Sequence, residues 1–178
     1  MILDKSGVPS RGPLKPFGSA YSKWIAGWSN DFTYKNFHLS FLIDGKFGGK
    51  IFSGTDYRGY FFGLDKATLV NREGKFGNNI DAATYYSTLA SNVSRLFVLD
   101  ASFIKFRQIV FGYTFPSKLF HKGIKGASIS LVGRNLFYIM KKTDNIDPEA
   151  DYTPNAYGLE LGGVPPSRTF GVNLNLKF

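Results

Sequence analysis

The sequence predicts an all-β chain: an antiparallel segment of transmembrane β-barrel with long loops. Three observations carry this. First, several segments of eleven or more residues alternate apolar and polar side chains at period two. A strand tilted across a bilayer needs about 9–11 residues, whereas strands average nearer 5–6 in soluble domains. Second, the connections between these segments are by turns short and long, as in barrels with tight turns at one membrane face and long loops at the other. Third, 17% of the 178 residues are aromatic and 20 are Gly, yet only 43% are hydrophobic, which suits a chain with one apolar and one polar face.

Residues 1–22 hold Gly7, Pro9, Gly12, Pro13, Pro16 and Gly18 and read as a loop; no apolar run of signal-peptide type occurs in them. Trp24–Tyr34 is the first strand, with Trp24, Ala26, Trp28, Phe32 and Tyr34 on one side and mostly small or polar residues on the other. Lys35-Asn36 joins it to Phe37–Phe47, where Phe37, Leu39, Phe41, Ile43 and Phe47 alternate with His38, Ser40, Asp44 and Lys46. A two-residue connection is a hairpin signal. It pairs Tyr34 with Phe37 and so puts both apolar sets on one face. Residues 48–101 are long and mixed, broken by many glycines, with a helix expected over Asp81–Asn92 capped by Asp81 and room for two or three short strands. Ser102–Phe115 is extended, and its apolar phase slips between Arg107 and Gln108, which predicts a bulge. Pro116–Gly126 connects it to Ala127–Ile139. Thr143–Ser167 is an acidic loop with prolines, and Arg168–Phe178 alternates without error. Trp24, Trp28, Tyr34, Tyr113 and Tyr138 are candidates for aromatic girdles at the membrane interfaces.

Several function classes fall away. Without Cys there is neither a disulfide framework nor a thiolate metal site. His38 and His121 stand apart from each other, and no G-x-S-x-G or P-loop occurs. Asp144, Asp147, Glu149 and Asp151 carry hard oxygen ligands but lack EF-hand spacing, so they read as a turn-rich loop around Pro148. No enzyme activity, metal or cofactor is expected. Lys+Arg 22 against Asp+Glu 13 gives a net +9, but the bases are scattered and no nucleic-acid partner is expected. Lys105, Arg107 and Arg134 lie on strands, where facing lipid at the bilayer midplane costs about 2–4 kcal/mol. They are predicted to face the lumen or to lie beyond the hydrocarbon.

A sheet in hydrocarbon must close on itself, because each unpaired backbone group there costs several kcal/mol. The smallest closed membrane barrels have about eight strands. Either three more strands hide within 49–101, making a small self-contained barrel, or the segment belongs to a larger barrel. A soluble β-sandwich carbohydrate-binding module is a further alternative, and it requires the apolar face to be enclosed.

The residues also carry a resemblance. SNDFTYKNFHLSFLIDGKFGGKIFSGT (29–55), DASFIKFRQIVFGYTFP (100–116), GASISLVGRNLFY (126–138), NIDPEADYTPNAYG (145–158) and PPSRTFGVNLNLKF (165–178) together resemble the SusC/RagA family of TonB-linked outer-membrane proteins. The resemblance implies a 22-stranded barrel with an N-terminal plug in a Gram-negative outer membrane. It implies work with a SusD-like lipoprotein to import glycans or peptides, driven by the TonB complex. This chain corresponds to the last five strands and their loops, without the plug, and so to a C-terminal fragment or a truncated reading frame. Phe170, Val172, Leu174, Leu176 and Phe178 resemble the signal that the barrel-assembly machinery captures by strand addition. In the external loops, Tyr57, Tyr60, Phe61, Asp147, Glu149 and Tyr152 are the candidate ligand or partner contacts. Tyr57, Tyr60, Phe61 and Phe62 suit either stacking on sugar rings or packing between loops.

Overall fold

The computed structural model describes residues 2–120, 123–150 and 156–178. The chain forms two compact units. One, the wall, comprises Trp24–Phe47, Phe103–Lys141 and Pro166–Phe178; the other, the loop unit, comprises the residues up to Lys23, Gly48–Ser102 and Lys142–Pro165.

The wall is a five-stranded antiparallel meander. Its strands are Trp24–Tyr34, Phe37–Phe47, Phe103–Thr114, Gly126–Lys141 and Thr169–Lys177, and each pairs with the next in sequence. The first two are joined at Lys35-Asn36, where Lys35 takes the left-handed conformation (φ 52°) that a two-residue hairpin demands. The Asn36 side-chain amide donates to the Thr114 carbonyl, 2.8 Å away, and ties the turn to the third strand. The hairpin register is as the sequence predicts: Tyr34 faces Phe37, Phe32 faces Leu39 and Trp28 faces Ile43.

Register carries one apolar stripe across the whole sheet. Phe37 faces Tyr113, Tyr113 faces Ile129 and Ile129 faces Leu174; beside them, Leu39, Phe111, Leu131 and Val172 form the next row. The opposite face collects His38, Gly112, Ser130 and Asn173 in one row and Leu42, Gln108, Arg134 and Thr169 in another. The apolar face is open: Trp24 is 75% exposed, Phe170 75% and Leu174 60%. A β-sandwich would enclose these side chains, and that alternative is overturned.

The phase slip has a structural cause. Gln108 faces Leu42 while Phe106 faces Ile43, which leaves Arg107 as the extra residue of the third strand. On the fourth strand Asn135, at φ 52°, and Leu136 lie between the pairs Arg134–Gln108 and Phe137–Phe106. These bulges restore the alternation on either side, so Phe106 and Ile109 share the apolar face despite their odd spacing. They also move Tyr138 off that face, as described below.

Within 48–102 the loop unit holds only short strands: Lys50–Ser53, Lys75–Phe76, Ile80–Asp81 and Val98–Asp100. None joins the wall sheet. The small eight-stranded barrel is therefore overturned: among the described residues the wall keeps two unpaired edges, at Trp24–Tyr34 and Thr169–Lys177. The expected helix is present as α2, Ala82–Asn92; Asp81 caps it, its carboxylate accepting from the Thr84 amide at 2.9 Å. A helix the sequence did not announce, α1, runs over Gly54–Phe61 with Ser53 as its N-cap. Ala82, Tyr86 and Leu89 form a core with Tyr60, Phe76, Tyr85 and Val93 around it, while Phe97 and Ile51 are also fully buried. Residues 2–22 are largely irregular, apart from the pairing of Ile2–Leu3 with Pro9–Ser10.

Candidate functional site

The polar face of the wall is built around one ion pair. The Asp44 carboxylate accepts from Arg107 Nε at 3.0 and 3.1 Å, and lies 2.8 Å from Nη2. Arg107 Nη1 also donates to the Asn135 side-chain oxygen, 3.3 Å away. The bulge is what aims this guanidinium, since the fork geometry of Arg suits two-point contact with a carboxylate. Lys105, only 2% exposed, sits beside them with its ammonium 4.6 Å from the centre of the Tyr138 ring and 3.3 Å from its hydroxyl. Tyr138 faces Lys105 in the register and so belongs to the polar side. Its assignment to an aromatic girdle is corrected, and the reason is the phase change at the neighbouring bulge. Arg134 shares the same face through its pairing with Gln108 and Thr169.

In the loop unit, the most constrained charged group is Glu160. It is 2% exposed. Its carboxylate accepts from the Thr55 hydroxyl at 2.8 Å, the Thr55 amide at 3.1 Å and the Ser53 hydroxyl at 3.4 Å, and also from the Gly162 amide. Burial by itself raises the pKa of this carboxyl, but the hydrogen bonds from Thr55, Gly162 and Ser53 outweigh it and hold the group below the usual glutamate range. The carboxylate also lies at the N-terminus of α1, where the exposed amides and the helix dipole favour negative charge. Gly54 is needed here, because a Cβ on it would lie 2.6 Å from the Glu160 carbonyl oxygen. The sequence reading passed over Glu160; the signal was a single carboxylate between Leu159 and Leu161.

Tyr57 and Tyr60 lie on α1 and turn inward, with their rings 5.6 and 5.4 Å from that of Phe97. Burial, then the nearby Asp65, pushes the Tyr60 hydroxyl pKa up. Phe61 is more open and packs edge-on to the exposed Phe62. Asp56, Asp65, Lys142 and Asp144 line a hollow of about 220 Å³ with Tyr60 and Asn145. Asp147 accepts from the Glu149 amide at 2.8 Å and so builds a turn; both side chains are half-buried. Tyr152, Asp151 and His121 lie outside the described residues. Among the described residues no group of three or more His, Asp or Glu is arranged to hold a metal. Phe170, Val172, Leu174 and Leu176 line one face of the fifth strand, all exposed.

No family model matches the chain. Curated relatives do: the TonB-dependent receptor P3 of Formosa agariphila is 28% identical over 99% of this chain, and the TonB-dependent receptor SusC of Bacteroides thetaiotaomicron is 28% identical over 92% of it. The chain is thus similar in sequence to TonB-dependent receptors, SusC among them. It spans 18% of the length of P3 and 16% of SusC. Among solved structures, the RagAB peptide importer in its closed-closed state superposes with a TM-score of 0.71 at 21% identity, covering 92% of this chain and 18% of that one. The structure of the RagAB peptide transporter gives 0.68 at 20% identity. That likeness is one of fold: the open meander superposes on part of the solved chains.

Proposed function

We propose that the chain supplies the last strands of the barrel wall, and the loops between them, of a TonB-dependent nutrient importer in the outer membrane. The observation that carries this is the two-faced meander. A continuous apolar face suits lipid, the ionic network lies on the other face, and two edges stay unpaired as a piece of larger barrel requires. Import of glycans or peptides, a SusD-like lipoprotein over the loop unit, and coupling to the TonB complex belong to this reading, the last through parts of a receptor beyond this chain. The relatives are receptors and transporters, and no residue here is assigned chemistry. Phe61, with Asp147, Glu149 and Tyr152, are the residues offered to cargo or lipoprotein, and Tyr57 stacks on Phe61 from within the loop unit. Phe170, Val172, Leu174, Leu176 and Phe178 form the pattern offered to the barrel-assembly machinery.

The test is partition. The chain, refolded with and without detergent micelles or vesicles, is expected to keep strand structure and trypsin resistance only when lipid or detergent is present. A monodisperse, folded monomer in detergent-free buffer would overturn the membrane reading.

A further inference from the structure

We infer that the short-turn end of the wall is a docking surface for the phosphate groups of bilayer lipids, with a preference for anionic phospholipid. The inference rests on the membrane reading above. Charge is distributed unevenly along the wall. Residues 101–143 and 161–178 contain no Asp or Glu, and the acids of the remaining wall segment are Asp31 and Asp44. Asp44 is engaged by Arg107, and Asp31 lies 3.5 Å from His38. At the end where the chain turns through Lys35-Asn36 and leaves the third strand through 115–120, the exposed lysines Lys35, Lys118, Lys125 and Lys177 therefore gather without a carboxylate side chain among them; Lys125 also donates to the main-chain oxygen of Phe178, 3.2 Å away.

Three of these lysines, Lys35, Lys125 and Lys177, line one concavity of about 500 Å³, together with the neutral polar Asn36 and Ser117. The apolar face runs up to the same end. Its last rows are Tyr34, Phe37 and Tyr113, and Leu119 stands exposed in the connector beside Lys118. The Lys35 ammonium lies 5.4 Å from the centre of the Tyr34 ring, with Tyr34 itself 70% exposed. A ring at the edge of an apolar stripe with an ammonium just beyond it is the arrangement that sits at headgroup depth. There the ring stays in the interface while the lysine stem reaches a phosphate. Continuity with the lipid-facing stripe favours a lipid over a soluble acidic protein. Each lysine near an anionic surface adds attraction, so phospholipid with net negative charge is preferred.

The experiment uses the full chain in dodecyl maltoside micelles, titrated with dioctanoyl phosphatidylglycerol, dioctanoyl phosphatidylcholine or inorganic phosphate, with bound adducts read by native mass spectrometry. Phosphatidylglycerol is expected to be retained at least about tenfold more tightly than phosphatidylcholine. The variant K35Q/K118Q/K125Q/K177Q is expected to lose the difference, the corresponding arginine variant to keep it, and K46Q/K141Q, at the other end of the strands, to leave it unchanged. Equal retention of the two lipids, or a preference that survives the four glutamines, overturns the inference. Saturable binding of inorganic phosphate with the same lysine dependence and no lipid preference overturns it in favour of a free-anion site. Failure of the chain to enter micelles at all overturns the membrane reading and this inference with it. Entry without lipid preference overturns the inference alone.

Discussion

A buried carboxylate held by the neutral donors Thr55, Ser53 and Gly162 makes stability sensitive to acid. The folded pKa of Glu160 lies below its unfolded value, so its contribution is complete at neutral pH. That contribution is lost as pH falls from the ordinary glutamate range, about 4.3, through the lower folded value. The protection of the Thr55 and Gly162 amides from exchange, relative to their intrinsic rates at each pH, is expected to fall as pH drops below the ordinary glutamate range, and to fall less in Glu160→Gln, whose side chain does not titrate. Glu160→Ala strands the Ser53 and Thr55 donors and is expected to cost the loop unit about 1–3 kcal/mol, read by thermal unfolding. In the wall, Asp44→Ala leaves the Arg107 guanidinium without its carboxylate. Both side chains are only partly buried, which sets the expected loss at about 1–2 kcal/mol. Combining it with Arg107→Ala should recover part of that loss in a double-mutant cycle.

Among the elements, the strands were legible because their signal is simple. The first two hold their predicted bounds to the residue, and even the bulge was visible as a slip between Arg107 and Gln108. Side-chain alternation survives in a membrane strand because lipid on one side and polar surroundings on the other both select for it. Helix α2 was legible through Asp81, whereas α1 was not. Its Gly54 and Gly59 read as breakers, yet Gly54 is required by the close approach of Glu160, and only the Ser53 cap with Asp56 three residues on marked the helix start. Inward packing of Tyr57 and Tyr60 was equally hidden, since it depends on Phe97, remote in sequence. The fifth strand yields the clearest prediction at this scale. Leu174→Arg places a cation on the lipid face and is expected to cost about 2–4 kcal/mol, seen as reduced outer-membrane insertion of a full-length receptor carrying the change. Asn173→Arg, one residue away on the polar face, should insert like the parent.

For the whole molecule, the unpaired edges are decisive. Two rows of backbone donors and acceptors, along Trp24–Tyr34 and Thr169–Lys177, cannot be left in hydrocarbon. Expressed by itself in a membrane mimic, the chain is expected to associate edge to edge into heterogeneous oligomers, measured by crosslinking and gel filtration. Supplying the rest of a receptor barrel should suppress that association. The need for closure could be argued from the sequence, because five strands are too few.

The contact between Thr55 and Glu160 joins residues 105 positions apart, drawn from different excursions of the chain. Contacts so distant in sequence form slowly, after local pairing has shortened the path between their partners. The hairpin and meander can zip up neighbour by neighbour, whereas the clasp between α1 and Leu159–Glu160 has to wait until the fourth strand has come back. The loop unit of such a segment would thus be the last part to set, and a receptor caught halfway through assembly would show a finished palisade while the latch at Glu160 still hung open.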